Sequence, residues 1–269
     1  MFFEKEDYEV FSKENKGLND SVIRQRRKDV QDKLLELHHD IITDYVFNQY
    51  AIYPHWKDDH ITSSIFPNQT NEHTVPWLGL RYGKSKSEIE SLNFGLGRND
   101  SGKVGFQKFN NFEICVYDNC LSIGLYHSTR CGGIDRQKVK DYIKNDNKEF
   151  LAKLETALKN IQGYGYIFKA FYSKYTSHSE EAACEEFHFD YVKSDNLLEE
   201  FLKFYMKYSK DGEYDRYDLG DSKGFANTIM YDYPIKDKRI QTKKGIIAEF
   251  FYHVDNLLEL YRVLNWRNN

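Results

Sequence analysis

Proline, cysteine and long hydrophobic runs are all scarce in this sequence. Only 4 Pro occur in 269 residues, which excludes a proline-rich linker protein. No stretch reaches the roughly 18 uninterrupted apolar residues of a membrane-spanning helix. The first ten residues are acidic where a signal peptide needs a basic region and then an apolar one. We therefore expect a cytoplasmic protein with no membrane partner.

The cysteines form no recognisable metal-binding or disulfide pattern. The 4 Cys include no C-x-x-C pair, which is the short spacing typical of zinc sites. A chain of this length can bury enough apolar surface to fold without disulfides. We expect reduced thiols at Cys115, Cys120, Cys131 and Cys184.

The charge balance is slightly acidic. Lys and Arg total 38 against 42 Asp and Glu, a formal net charge of -4. This argues against a protein that coats nucleic acid through general basicity, although a local basic cleft remains compatible with it. Aromatic residues compensate for the low aliphatic content, since 21 Tyr and 19 Phe can each bury a large area.

Hydrophobic periodicity predicts an α+β fold, with a mixed, mainly antiparallel sheet and amphipathic helices packed on it. Helices are expected at 20–47, 137–160, 194–209 and 254–266. Residues 163–172 are expected to form a strand. No linker composition divides the chain, so we predict a single domain over 1–269, or two intimately packed lobes at 1–175 and 176–269.

The clearest strand signal is a hairpin over 112–127. Asp118–Asn119 suits a two-residue turn, and pairing Tyr117 with Cys120 across it puts every apolar residue on one face. A slip of one residue would scramble that face, so the register is well specified. In this register Cys115 lies opposite Ser122 instead of Cys120, which makes a local disulfide unfavourable.

Two similar stretches in the last hundred residues suggest a pair of strand–helix units. An aromatic run at 186–192 precedes Asp195-Asn-Leu-Leu-Glu, and another at 249–254 precedes Asp255-Asn-Leu-Leu-Glu. Chance similarity explains this echo about as well as duplication does.

Several catalytic motifs are missing from the sequence. There is no G-x-x-x-x-G-K-[ST] loop, complete G-x-G-x-x-G fingerprint, H-E-x-x-H or G-x-S-x-G. A metal-dependent nuclease that holds Mg²⁺ or Mn²⁺ would use acidic residues on strands with an acid-x-Lys pair. Asp146-Asn-Lys148 and Asp221-Ser-Lys223 match by letters, but we expect both in helices or loops.

Charged residues at strand ends and in the turns that follow form the best candidate site, because such positions usually display binding groups. Arginine forks and lysines there could hold a phosphate, with the start of the helix after Gly132–Gly133 adding backbone donors. The predicted phosphate-binding residues are Arg81, Lys84, Arg130 and Arg136. The predicted catalytic residues, carboxylates and imidazoles suited to acid–base chemistry, are Glu72, His73, Glu113, His127 and Asp135.

Structural roles remain open for the same residues. Arg130 could pair with Asp135, and Arg81 with Glu113 or Glu72, as ordinary ion pairs. His127 continues the apolar face of the hairpin and could be a core histidine. The basic run Arg24, Arg26, Arg27 and Lys28 is typical of a solvated helix face, with a phosphate-facing edge as the alternative.

The order of short words along the chain resembles the YktB-like family of uncharacterised bacterial proteins. The words are Asp7–Phe11, Gly17–Leu18, a helix with Arg24 and Lys33, Thr74–Trp77, a hairpin, and Leu257–Tyr261. The segment 92–105 and the Cys131–Gly133 turn depart from that pattern, and only His60 and His73 stand where the family has a histidine and arginine cluster. The resemblance implies an α+β fold and carries no activity.

Two functions follow from the sequence as hypotheses. The first is binding of a phosphate-bearing ligand, nucleic acid or nucleotide, with a metal-dependent nuclease in a restriction or phage-defence setting as its enzymatic version. The second is a non-catalytic interaction module that docks a partner protein through an aromatic surface. The sequence does not determine the oligomeric state.

Overall fold

The computed structural model describes residues 1–55, 64–68, 73–95, 109–127, 134–176, 179–207 and 222–265. Within these ranges the helices are α1 (Lys5–Glu9), α2 (Ser21–Thr43), α3 (Lys86–Gly95), α4 (Ile134–Lys144), α5 (Lys148–Ile161), α6 (Leu197–Lys207) and α7 (Lys243–Leu264). The strands are β1 (Tyr53–Pro54), β2 (Leu78–Gly83), β3 (Asn111–Val116), β4 (Cys120–His127), β5 (Ile167–Thr176), β6 (Ser179–His188) and β7 (Ser222–Pro234).

The strands form an antiparallel sheet in the order β1-β2-β3-β4-β7-β5-β6. The predicted α+β class is therefore confirmed. Strand β5 pairs with β6 from Ile167 opposite His188 to Thr176 opposite Ser179. It also pairs with β7, where the register shifts between Phe171 and Tyr172. No helix within the ranges given above is long and apolar enough to cross a bilayer.

The hairpin has the register that the sequence predicts. The Tyr117 amide donates to the Cys120 carbonyl at 3.0 Å, which closes the turn. At the other end of the two strands, the side chains of Asn110 and His127 meet at 2.6 Å. Cys115, Cys120 and Cys184 are free thiols, so no disulfide joins the first two.

The residues cluster into two compact units that interleave along the chain. Unit 1 comprises Met1–Ser85, Phe112–Gly124 and Asp232–Asp255, and unit 2 comprises Lys86–Asn111, Leu125–Tyr231 and Asn256–Asn269. The lobe boundary considered at 175 falls inside β5, within unit 2.

The core of unit 1 lies between α2 and β2. The predicted apolar stripe of α2 is fully buried at Val30, Leu34, Leu37 and Ile41. Tyr82 of β2 is also buried, and its ring contacts His38, Phe47 and Phe250 at centroid distances of 5.9, 5.4 and 5.1 Å. The helix starts at an Asp20 cap, whose carboxylate accepts from the amides of Val22 and Ile23.

Arg27 departs from both roles considered for the basic run of α2. Its neighbours Arg24, Arg26 and Lys28 are exposed, whereas Arg27 is fully buried. Its guanidinium donates to the carbonyls of Leu18, Asn15 and Lys16 at 2.9 to 3.0 Å. Arg27 therefore fixes the segment before the helix instead of facing solvent or a phosphate.

The core of unit 2 is aromatic. Phe168 of β5 contacts Phe201 at 5.5 Å and Tyr205 at 6.1 Å on α6, and Phe187 of β6 packs against Phe201 at 6.0 Å. These side chains are at most 8% exposed. The large aromatic content of the sequence thus supplies the contact between sheet and helix in this unit.

Two predicted elements are wrong in their boundaries. The helix expected at 137–160 is two helices, α4 and α5, because Asp146 has a φ of 49° and the side chain of Asn147 accepts from the Phe150 amide to cap α5. The run at 249–254, expected as a strand, lies inside α7. The two echoed stretches are therefore not repeated strand–helix units.

Candidate functional site

The structure places the predicted site residues in both units. His73, Arg81, Lys84 and Glu113 belong to unit 1, and His127, Asp135 and Arg136 belong to unit 2. Glu72 and Arg130 lie outside the described residues. The two units are therefore considered separately below.

Arg81 in unit 1 forms a buried ion pair. Its Nε lies 2.7 Å from Oε1 of Glu113 on the next strand, and the two side chains are 19% and 2% exposed. The guanidinium also lies over the Trp77 ring, 5.1 Å from its centroid. The charge of Arg81 is thus balanced by a carboxylate of the protein, which favours the ion-pair alternative for this residue.

Glu113 is surrounded by groups that both favour and oppose its ionisation. Burial raises the pKa of its carboxyl, while the positive charge of Arg81 and a hydrogen bond from the Cys115 thiol at 3.4 Å act in the opposite direction. The same burial raises the pKa of the Cys115 thiol well above its usual value. Cys115 is therefore a protonated donor instead of a reactive thiolate.

The other predicted residues of unit 1 lie near the ends of β2. His73 is exposed, has a φ of 58°, and donates its backbone amide to the Asn68 carbonyl at 2.8 Å. Lys84 directly follows the strand and is 2% exposed. His73 therefore precedes β2 and Lys84 follows it, so the strand separates these two predicted residues in the chain.

His127 in unit 2 is fully buried, and both of its ring nitrogens are hydrogen-bonded. Nδ1 lies 2.6 Å from Oδ1 of Asn110, and Nε2 lies 2.5 Å from the hydroxyl of Tyr205. Asn110 Nδ2 donates to the Leu264 carbonyl, so its Oδ1 is left to accept from His127. The imidazole therefore carries its proton on Nδ1 and accepts from Tyr205 at Nε2.

The environment of His127 keeps it neutral. Burial, together with the nearby positive charge of Arg136, lowers its pKa to about 3. Since both nitrogens are occupied and the ring is uncharged at neutral pH, the geometry favours a core role for His127 over the acid–base role.

Helix α4 presents a buried charged face next to this histidine. Asp135, Arg136 and Lys140 are 0%, 5% and 1% exposed. Arg136 and Lys140 are separated by one helical turn and so share a side of the helix. The Asp135 carboxylate accepts from the backbone amide of Asn110 at 2.8 Å, which links the start of α4 to the residue that precedes β3.

Asn227 of β7 adds a buried donor on the α6 side of the sheet. It is the register partner of Ala170 on β5, and directly opposite residues share a face. Ala170 lies two residues beyond Phe168 on the same strand, so their side chains share a face of the sheet. Phe168 contacts α6, and this face is therefore the α6 side. Asn227 is 3% exposed, and its Nδ2 has no hydrogen-bond partner in the part of unit 2 that the structure describes.

Sequence reasoning missed Lys140, Asn227 and Tyr205. Lys140 could have been identified from its spacing of four residues from Arg136. The other two carry no local signal, because only the strand pairing and the packing of α6 bring them to this side of the sheet.

A second buried histidine network, in unit 1, was also missed. The Tyr233 hydroxyl donates to the Glu249 carboxylate, so His253 Nε2 is the donor in its 2.5 Å contact with the same hydroxyl. The guanidinium of Arg239 lies over the Tyr233 ring at 4.7 Å. Burial and the charge of Arg239 lower the pKa of His253 to about 3.

Among residues whose positions are described, no group of three or more His, Cys, Asp or Glu side chains could hold a metal ion. Comparison with protein-family models and with curated proteins finds no match, so the geometry alone carries the functional argument. The resemblance to the YktB-like family stays a prediction.

Proposed function

We propose that the protein binds a phosphate-bearing ligand, a nucleotide or a nucleic acid, through the buried cationic face of α4. The observation that carries the proposal is the pair Arg136 and Lys140, one turn apart and at most 5% exposed. Arg136 and Lys140 bring two positive charges to this face, and Asp135 beside them brings one negative charge. A phosphate group offers several acceptor oxygens and negative charge to both side chains.

Two further features support a phosphate at this face. The Nδ2 group of Asn227 is a buried donor on the α6 side of the sheet, the side on which Tyr205 contacts His127. The helix has 11 residues, and its positive dipole end lies beside Asp135 and Arg136. The sequence also places Arg130 shortly before α4, and we include it in the proposal. Arg81 is left out because Glu113 balances its charge.

The proposal is one of binding. A metal-dependent nuclease, in a restriction or phage-defence setting, would need carboxylates grouped around a metal, and the described part of the chain supplies no such group. Nucleotides and nucleic acids both present a phosphate group, and the binding experiment described next distinguishes between these two ligands.

Substituting the buried cations is expected to weaken binding selectively. Charge-assisted hydrogen bonds contribute roughly 1.5 to 3 kcal/mol, so Arg136→Gln and Lys140→Gln should each raise the dissociation constant by about tenfold or more. Binding is measured by fluorescence anisotropy with labelled single-stranded DNA, duplex DNA and RNA, and by calorimetry with ATP. The ligand that the wild type binds identifies the source of the phosphate.

Lys144→Gln is the matched control, since Lys144 is an exposed cation at the end of the same helix. It should leave the affinity within about twofold of wild type, because an exposed charge contributes little. Failure of the wild type to bind any of these ligands would contradict the proposal. An equal loss of affinity in all three variants would contradict it too, since it would indicate general electrostatics instead of a site on α4.

A further inference from the structure

Two tyrosines in unit 2, Tyr164 and Tyr191, are exposed to solvent on two turns that hydrogen bonds join. Tyr191, at the end of the short 3₁₀ turn Phe189–Tyr191, is 83% exposed, and Tyr164, before β5, is 42% exposed. The Tyr191 ring lies parallel to that of His188, with centroids 4.6 Å apart and an interplanar angle of 9°. One face of Tyr191 is thus supported by the protein while most of the ring stays accessible.

Asp190 joins the turn that carries Tyr164 to the turn that carries Tyr191. Its Oδ1 accepts from the Gly163 amide at 2.6 Å and its Oδ2 from the Gly165 amide at 3.0 Å, the residues on either side of Tyr164. The φ angles of these glycines are 91° and 78°, values that side chains other than glycine rarely adopt. The turn that carries Tyr164 is therefore shaped to receive Asp190, which directly precedes Tyr191.

Gln162 locks the same turn from its other side. Its Nε2 donates to the carbonyls of Phe189 and Val192 at 3.0 and 2.6 Å, and its Oε1 accepts from the Ser194 hydroxyl at 2.6 Å. Rigid aromatic side chains lose little conformational entropy when a partner binds them. The tyrosines are thus preorganised for contact.

The charge around the tyrosines indicates which partner they fit. Residues 185–195, which flank Tyr191 in the chain, contain four acidic residues and one lysine. Glu186 lies 3.1 Å from His188 under the Tyr191 ring, and Asp190 joins the two turns. An aromatic face beside carboxylates attracts cations, arginine above all, because the guanidinium stacks on the ring and pairs with acids. The same charges would repel nucleic acid.

We propose that Tyr164 and Tyr191 form a docking surface for a basic, arginine-bearing segment of a partner protein. This inference does not depend on the phosphate proposal, since it uses a different part of unit 2 and the opposite sign of charge. It gives a location and a partner chemistry to the interaction role that the aromatic content of the sequence suggests.

The test uses fluorescein-labelled octa-arginine, with octa-lysine and octa-glutamate as comparison peptides, and the full-length protein in an anisotropy titration. Wild type should bind octa-arginine most tightly and octa-glutamate not at all. Tyr191→Ala should raise the dissociation constant for octa-arginine by about threefold to tenfold, and Tyr164→Ala should act in the same direction.

Tyr45→Ala is the matched control, because Tyr45 is 79% exposed and follows an acidic residue, Asp44, in unit 1. It should bind octa-arginine as wild type does. The proposal is overturned if Tyr191→Ala also binds like wild type. It is equally overturned if the tyrosine substitutions reduce the affinity for a labelled oligonucleotide instead of the affinity for octa-arginine. The side chains of Tyr191 and Tyr164 are not core residues, and circular dichroism of each variant checks that the fold is intact.

Discussion

Replacing Glu113 with alanine is expected to lower the free energy of unfolding by about 3 kcal/mol, the lower end of the range for breaking a buried ion pair. In the intact protein the Glu113 side chain is 2% exposed, and its Oε1 lies 2.7 Å from Nε of Arg81. The substitution removes this carboxylate from the guanidinium of Arg81. It also removes the acceptor of the Cys115 thiol. The lower end of the range applies because Arg81 itself is 19% exposed and can gain some hydration. Urea unfolding followed by intrinsic fluorescence measures the loss.

Two further variants show whether loss of the ion pair causes the expected fall in the free energy of unfolding. Replacing both partners, Arg81→Met with Glu113→Leu, should recover most of the stability, because no buried charge is then left uncompensated. Glu155→Ala removes the acid of an exposed pair with Lys159 and should leave the unfolding midpoint nearly unchanged. A double variant no more stable than Glu113→Ala would show that packing at this position, and not charge, sets the stability.

Acid is expected to destabilise the protein through His127. The folded-state pKa of about 3 lies below the ordinary value of 6.5, so as the pH falls the unfolded chain takes up a proton that the folded protein does not. The contribution of His127 is fully present above about pH 6.5 and is lost as the pH falls toward 3. At about 1.4 kcal/mol per pH unit, the loss between pH 7 and pH 4 is about 3 kcal/mol. His253, whose pKa is also about 3, adds a loss of the same sign.

His127→Gln isolates the effect, because glutamine offers a donor and an acceptor but does not titrate. The variant should lose less stability than wild type between pH 7 and pH 4, as measured by urea unfolding at each pH. His39→Gln removes an exposed histidine from α2 and should keep the wild-type pH dependence. The tautomer and burial assigned to His127 would be contradicted if wild type and His127→Gln lost stability in parallel as the pH falls.

The sequence predicts the fold class and the hairpin because both follow from local patterns. The alternation at 112–127 leaves one register that keeps the apolar side chains together, and the contact from Tyr117 to Cys120 has that register. Helix α7 was partly misassigned because the aromatic run at 249–254 has strand propensity. Its apolar residues Ile246, Phe250, Val254 and Leu257, three or four apart and fully buried, are the stripe of a helix, and that longer period outweighs the local preference.

The site was less accessible to prediction. Pairing between Arg81 and Glu113 was one of two open alternatives, since sequence does not show which acid on a neighbouring strand faces the arginine. The contact of His127 with Tyr205 joins residues 78 positions apart and depends on how α6 packs. The outward display of Tyr191 depends on Asp190 reaching two amides far back in the chain. These contacts depend on tertiary packing, so no periodic pattern in the sequence predicts them.

The central claim, that α4 holds a phosphate, is tested most directly by locating an anion there. Crystals of the protein soaked in tungstate, a tetrahedral phosphate mimic, allow the ion to be located from diffraction at the tungsten absorption edge. The account predicts an anomalous peak within hydrogen-bonding distance of both the Arg136 guanidinium and Lys140 Nζ. A map in which these two groups contact only protein atoms, with no peak at α4, would contradict it.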